Sequence, residues 1–220
     1  MARKAGMIHV VADNVRVFEQ LASELLPDVE IVHFLDSGLP AMSAPSLRPE
    51  VVERLRTYAS FARRSGADAV LLTCTAFGRL VDEVSGAVDC PVLSVLEIMV
   101  DEALRQRGRI GIIGSHPGTV AGMERLLREQ AAREGNVIAI ESRLCAGAFD
   151  AMRRGDLAAH DRVVLVTLRE LVEKVDVVVA PQPSMEAALL QFEGDPKNVP
   201  VLTSPRLSVE RLKQTLNSLC

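Results

Sequence analysis

The stretch Ala69-Val70-Leu71-Leu72-Thr73-Cys74-Thr75-Ala76-Phe77-Gly78 places a thiol between two hydroxyls, directly after an apolar run. A thiolate is the nucleophilic and proton-accepting form of cysteine, and positive charge or a helix N-terminus lowers its pKa. A continuous apolar run reads as a strand buried on both faces, as in a parallel sheet. The residues that follow, through Val84, read as a helix, so Cys74 is expected where a strand ends and a helix begins. In open α/β sheets that edge is where ligands bind. Free cysteine is often a small buried hydrophobe. The flanking Thr73 and Thr75 and the strand-end position favour a chemical role instead.

Similar clusters recur along the chain. Ser115, His116 and Thr119 follow an apolar run and open a helix whose first turn accepts Pro117. Hydroxyls and free N–H groups at such a place suit a carboxylate, and Ser115 alone would also serve as a cap. His116 sits at the ligand edge and can carry a proton. Asp13 and Asn14 hold the matching position early in the chain, as caps or ligand contacts. Gln182 and Ser184, within Pro181-Gln182-Pro183-Ser184, are capping-compatible too, and the Gln182 amide can donate to a substrate oxygen. His9 lies inside an apolar strand and reads as core. His33 is open to either reading, and His160 reads as surface. Cys90, Cys145 and Cys220 are scattered, with no Cys-x-x-Cys or zinc-type spacing, so no metal site is expected. Cys90 reads as core, and Cys220 has no assigned role. Gly111-x-x-Gly114 lacks the start of a dinucleotide fingerprint, and there is no phosphate-loop lysine. The Arg63-Arg64 and Arg153-Arg154 pairs read as solvated helix surface.

Strands are expected at Met7–Ala12, Glu30–Leu35, Ala69–Leu72, Cys90–Val95, Arg109–Ser115, Val137–Ser142, Asp176–Ala180 and Val199–Thr203. Helices are expected at Val15–Leu26, Glu50–Ser65, Leu96–Arg107, Val120–Glu134, Asp161–Lys174, Met185–Phe192 and Ser208–Leu219. The segment from Asp36 to Pro49 reads as a long loop, and Gly66 as a helix C-cap. This alternation means an α/β fold with mainly parallel sheets. The chain also repeats itself. Asp68-Ala69-Val70-Leu71-Leu72-Thr73-Cys74-Thr75 leads to Cys90-Pro91-Val92-Leu93, and Asp176-Val177-Val178-Val179-Ala180-Pro181-Gln182-Pro183 leads, at near-equal spacing, to Val199-Pro200-Val201-Leu202. The reading is two similar βα lobes related by a pseudo-twofold, residues 1–95 and 96–220, with a cleft between them. Part of the C-terminal helix is expected to pack back on the first lobe. The repeat aligns Cys74 with Gln182, so the two strand-end clusters are expected to face each other.

Composition narrows the function. With 220 residues, 48% hydrophobic, a sizeable core is available. A net charge of −4 and 3% aromatic residues argue against a nucleic-acid partner. The apolar run from Met7 stops at Asp13, too short for a membrane span or signal sequence. No membrane partner is expected, and the location is expected to be cytoplasmic.

Several of these motifs together resemble the aspartate/glutamate/hydantoin racemase superfamily, over nearly the whole chain. The carriers are Thr73-Cys74-Thr75, Gly111-Ile112-Ile113-Gly114-Ser115 with Thr119, Gly147-Ala148-Phe149-Asp150-Ala151-Met152 to Gly155-Asp156, and Ala180 to Met185. His33-Phe34-Leu35-Asp36-Ser37-Gly38-Leu39 is similar to one subgroup. The resemblance implies a cofactor-independent enzyme in which two cysteines flank the carbon next to a carboxylate, one removing its proton and the other returning one. It also implies a homodimer or higher homo-oligomer. Here the second cysteine is Gln182, which is neither acid nor base near neutral pH. The resemblance therefore implies a racemase/isomerase-like enzyme on a small amino-acid-like or hydantoin-like carboxylate, with Cys74 as acid/base. Thr73, Thr75, Asp13, Asn14, Ser115, His116, Thr119, Gln182 and Ser184 would contact substrate. Cys145 or His116 would supply any second proton. The alternatives are a single-thiol decarboxylase and a non-catalytic carboxylate-binding protein.

Overall fold

The computed structural model describes residues 3–42, 44–75, 77–192 and 197–219. The chain runs β1 (Arg3–His9), α1 (Ala12–Leu25), β2 (Val29–Leu35), α2 (Arg48–Arg64), β3 (Ala69–Leu72), α3 (Val81–Ser85), β4 (Val92–Ser94), α4 (Val95–Arg105), β5 (Arg109–Gly114), α5 (Pro117–Arg133), β6 (Ala139–Leu144), α6 (Ala148–Arg153), α7 (Leu157–Val172), β7 (Val177–Ala180), α8 (Glu186–Leu189), β8 (Val201–Thr203) and α9 (Ser204–Ser218). It forms two compact units. One extends to Ile98 and takes in the chain from Pro205 on; the other is Met99–Ser204.

The first unit is a four-stranded parallel sheet in the order β2-β1-β3-β4. Its period-2 alternation divides the core. Ile8, Val70 and Leu72 face Val51, Val52, Leu55, Ala59 and Ala62 of α2 and Val81 and Val84 of α3. Ala5, Met7, Ala69 and Leu71 face Phe18, Leu21 and Ala22 of α1, Ile98 of α4 and Val209, Leu212 and Leu216 of α9. Both faces of β3 are thus covered, which is why its sequence is uninterrupted apolar. The second unit repeats the plan in the order β6-β5-β7-β8. There Ile113, Val178 and Ala180 pack with Val164, Leu168 and Leu171 of α7.

The repeat extends to single hydrogen bonds. The Asp68 carboxylate accepts from the Lys4 N–H at 3.1 Å, and the Asp176 carboxylate accepts from the Arg109 N–H at 2.7 Å. The Val70 N–H donates to the Pro91 carbonyl at 2.9 Å, and the Val178 N–H to the Pro200 carbonyl at 2.8 Å. Each central strand also carries a glycine at the same place. A Cβ on Gly6 would lie 2.6 Å from the Ala62 Cβ, whereas one on Gly111 would lie 3.0 Å from the flexible tips of Leu171 and Val175. Ala62 is tied directly to helix backbone and cannot swing away. Gly6→Ala is therefore expected to cost about 1–3 kcal/mol and Gly111→Ala distinctly less. Urea unfolding of the two variants checks this; equal costs would refute it.

Several local expectations change. The Asp36–Pro49 segment contains 3-10 turns at Leu39–Met42 and Pro45–Leu47, and α2 begins at Arg48. Asp13 and Asn14 lie inside the first turn of α1, whose N-cap is Val11 without a side-chain bond, so they are not caps. The helix after β7 shrinks to a 3-10 turn, Pro183–Met185, and the short α8. The long helix of the second unit starts early because Asp156 caps it, accepting from the Ala159 N–H at 3.0 Å. His160 is 1% exposed, so it is a core residue rather than a surface one. Cys220 lies outside the described residues.

Candidate active site

Cys74 follows the last residue of β3 by two positions, half-buried against the α2-facing core. No α-helix begins beside it. A 3-10 turn, Gly78–Leu80, comes first, and only then the five-residue α3. The Thr-Cys-Thr segment is poor in helix formers. Gly78 is also wedged where a Cβ would meet the Ser94 Oγ at 2.5 Å and the Leu96 Cβ at 2.6 Å. Among the described residues, the helix expected directly after Cys74 thus begins as a 3-10 turn at Gly78 and not as an α-helix.

Thr73 points inward. It is fully buried, its N–H donates to the Ile8 carbonyl at 3.1 Å, and its hydroxyl donates to the same carbonyl at 2.9 Å. The hydroxyl also lies 2.9 Å from His9 Nδ1. His9 Nε2 is 2.8 Å from His33 Nδ1, and His33 Nε2 is 2.6 Å from Glu19 Oε2. His9 is thus a core residue as expected, but a hydrogen-bonded one. Phe18 packs edge-on against its ring, with centroids 5.6 Å apart. Burial first, and the neighbouring His33 second, push the His9 pKa down from 6.5 to about 3. Thr73 is therefore placed to brace the strand end rather than to touch a ligand with its hydroxyl. Thr75, one residue beyond Cys74, is half-buried.

The end of β2 carries a cluster that sequence reasoning missed. Asp36, 7% exposed, accepts from the Gly38 N–H at 3.0 Å, the Tyr58 hydroxyl at 2.8 Å and the Arg54 guanidinium at 2.7 Å. Burial, then the hydrogen bond to the Asp36 carboxylate, raise the Tyr58 pKa above its ordinary value, so it stays a phenol at neutral pH. The available signal was an acid at a strand end opposite Arg54 and Tyr58 on one face of α2. These groups pin the start of the loop after β2.

In the second unit, His116 rather than Ser115 caps α5: its Nδ1 accepts from the Gly118 N–H at 3.1 Å. This leaves Nε2 as the donor of the neutral ring. The exposed ring meets Phe149 edge-on at 5.4 Å. Ser115 is committed to Gln182. Its N–H donates to Gln182 Oε1 at 2.6 Å, and Gln182 Nε2 donates back to Ser115 Oγ at 3.0 Å. The Gln182 amide is thus held within its own unit, across the space above Gly114, where a Cβ would sit 3.2 Å from Oε1. Thr119 is half-buried in the first turn of α5, as Asn14 is in the first turn of α1. The two are repeat equivalents: the Asn14 N–H donates to the Val11 carbonyl at 3.2 Å and the Thr119 N–H to the His116 carbonyl at 3.1 Å. Asp13 and Ser184 are exposed.

Gln182→Ala should strip the nearly buried Ser115 N–H of its acceptor, an expected loss of about 1–3 kcal/mol. Urea unfolding would show it, and a neutral substitution would mean that water replaces the amide.

The placement of Cys145 does not favour it as a second thiol. It is fully buried in the α7-facing core, and burial pushes its pKa up to about 11, against the opposing effect of its hydrogen bond with Thr167. Cys90 packs, half-buried, against the core of the first unit, and burial raises its pKa as well. Among the described residues, no group of three or more His, Cys, Asp or Glu side chains is arranged to hold a metal. None of their helices is long and apolar enough to cross a membrane.

The family model described as Asp/Glu/Hydantoin racemase matches residues 12–212. Among solved structures, the chain is similar to an aspartate racemase homologue from Pyrococcus horikoshii OT3, at 16% identity and TM-score 0.75, covering 99% of this chain and 100% of that one. It is similar to glutamate racemase from Francisella tularensis subsp. tularensis SCHU S4 in complex with D-glutamate, at 16% identity and TM-score 0.69, covering 99% and 82%. It is also similar to a glycine-to-cysteine variant of arylmalonate decarboxylase in its sulfate-associated form, at 19% identity and TM-score 0.67, covering 99% and 94%. At these identities the likeness is one of fold. No curated protein sequence matches the chain.

Proposed function

Because the chain belongs to the Asp/Glu/hydantoin racemase family, we propose that it is a cofactor-independent enzyme of the racemase/isomerase type. It acts at the carbon next to a carboxylate of a small amino-acid-like or hydantoin-like substrate. The observation that carries this reading is Cys74: a partly exposed thiol at the carboxyl end of a fully buried central strand, followed by Thr75. As thiolate it takes the proton from that carbon; as thiol it returns one. Thr75, Asn14 and Asp13 in the first unit, and Ser115, His116, Thr119, Gln182 and Ser184 in the second, are assigned to the substrate's polar groups. Hydroxyls and N–H groups that stabilise the developing enolate would contribute most of the rate. Inversion needs a second proton on the opposite face, for which His116 or a water serves.

One observation favours a second reading. The repeat equivalent of Cys74 is Gln182, and its amide is occupied by Ser115. A decarboxylase needs only one thiol: the bond to the carboxylate breaks, carbon dioxide leaves, the electron pair stays as an enolate, and Cys74 protonates it. Solvent then restores the thiol. A non-catalytic carboxylate-binding protein is the limiting case. Proton NMR in deuterium oxide separates the three, with aspartate, glutamate, hydantoins, substituted malonates and maleate as substrates. Exchange with inversion supports the racemase, and a deuterated product short of one carboxylate supports the lyase. Binding that is independent of Cys74, without turnover, would overturn both enzymatic readings. A cytoplasmic, homo-oligomeric protein without nucleic-acid partners is the matching expectation.

A further inference from the structure

Helix α7 packs Val164, Leu168 and Leu171 into the core of the second unit and turns its other side to solvent. Residues four apart lie nearly above one another on a helix. Arg162, Val166 and Glu170 therefore form one outward row, and all three are exposed, Val166 by 48%. Val163 and Leu165 flank the row, half-buried. In the first unit, α2 likewise precedes the doubly buried central strand, yet its outer side is finished differently. Its Arg48, Arg54 and Arg63 pair with Glu83, Asp36 and Asp89, and its exposed Phe61 lies under the Arg64 guanidinium at 4.6 Å. On α7, Asp161 is taken by His160 at 2.7 Å, and Glu173, just past its end, by Lys197 at 3.9 Å. Arg162, Arg169 and Glu170 have no such partner among the described residues. Arg162 and Glu170 cannot pair with each other, because eight residues of helix hold them about 12 Å apart.

We propose that this face of α7 docks on the same face of a second copy of the chain, the two α7 helices lying antiparallel across a twofold axis at Val166. The charges point to that occupant. Arg162 and Glu170 stand four residues before and four after Val166, so an antiparallel copy sets each Arg162 against the other copy's Glu170. A parallel copy would set like against like. The rest of the row agrees. Val163 meets the aliphatic stem of Arg169, Ala159 meets Glu173, and no like charges fall opposite one another. Val166 meets its own copy, as an isologous contact requires. One helix pair buries less than a standard interface, so the dimer forms in a concentration-dependent way. The surface is independent of the reaction assigned to Cys74; it goes beyond that reading and gives the expected homo-oligomer a place on the fold.

The test is sedimentation equilibrium of the whole protein over a wide concentration range. The expected result is a monomer–dimer equilibrium. Arg162→Glu and Glu170→Arg, each alone, should weaken the dimer about tenfold or more, because twofold symmetry turns two attractions into two repulsions. The double variant, carrying both changes, should return to within about threefold of the parent. The side chains are exposed, so circular dichroism should be unchanged in all three variants. Val166→Cys in oxidised glutathione should give a dimer joined through position 166, identified by peptide mass spectrometry. A monomer at every concentration would overturn the proposal. A dimer that ignores the single reversals would keep a homo-oligomer but place it on another surface. A dimer broken by the single reversals and not restored by the double variant would overturn the antiparallel register, as would failure of position 166 to cross-link. No substrate is used, so failure of the enzymatic reading leaves every one of these results intact.

Discussion

Cys74→Ala is expected to remove substrate-dependent proton exchange, by about 10²–10⁴-fold or to below detection, while leaving the fold unchanged. The magnitude is that of a positioned general acid–base. Truncation should be structurally mild because the side chain is small and only half-buried at the margin of the core. Circular dichroism and the urea midpoint should therefore stay close to those of the unsubstituted protein. Cys74→Ser is the sharper variant. It keeps the volume and a hydroxyl, yet a serine hydroxyl is far too weak an acid to form the anion at neutral pH. It should be nearly as inactive as the alanine variant. If Cys74→Ser retained most of the exchange rate, the thiol would be a bystander and another group would carry the proton. If both variants lost activity but still bound substrate, binding and chemistry would separate as the proposed function requires. The same pair distinguishes reaction types. In a single-thiol lyase, carbon dioxide release and protonation by Cys74 both fall, whereas His116→Gln should depress inversion far more than decarboxylation.

The second large effect is on stability in acid. His9 is held neutral in the fold, its pKa lowered from 6.5 to about 3, chiefly by burial and then by His33. In the unfolded chain it takes up a proton near 6.5. The unfolded state thus binds more protons as the pH falls, so the contribution is fully present above about pH 6.5 and is lost as the pH drops towards the folded value. Between pH 6.5 and 4.5 the expected loss from this residue alone is about 2 kcal/mol. That is a large share of the stability of an ordinary domain. Urea unfolding across this range should show the decline, and His9→Gln should flatten it, since an amide can donate and accept without titrating. His9→Gln is expected to be less stable than the parent at pH 7.5 and to lose less on acidification. Equal slopes in the two proteins would mean that carboxylates, not His9, govern acid unfolding.

How far the sequence reached is clearest at particular residues. The run Ala69–Leu72 read as a doubly buried strand, and it is one, because period-2 packing on two faces demands apolar residues at every position. The strand–helix alternation, the parallel sheets and the repeat were all legible for the same reason. They are written in local periodicity and in spacings between like motifs. Family membership was legible from the order of weak motifs, and the family model spans the same stretch. Boundaries were less so. The helix expected just after Cys74 starts instead as a 3-10 turn at Gly78, which lies close against Ser94 and Leu96, a contact between segments that no local pattern announces.

The side-chain partnerships were decided only by tertiary structure. Thr73 and Ser115 read alike as strand-end hydroxyls, yet one faces His9 and the other is joined to Gln182. Cys145 read as a possible second thiol, and it lies fully buried in the core, where burial raises its pKa. His9, His33 and Glu19 lie on three separate elements and drew three separate readings, or none. They meet because β1 and β2 pair in parallel with Met7 opposite His33 and His9 opposite Leu35, which sets the two rings side by side beneath α1. A sequence by itself determines which faces must be buried, since burial follows from residue type and period. It does not determine which polar group meets which, because that depends on register, rotamer and helix placement, each decided by packing over the whole unit.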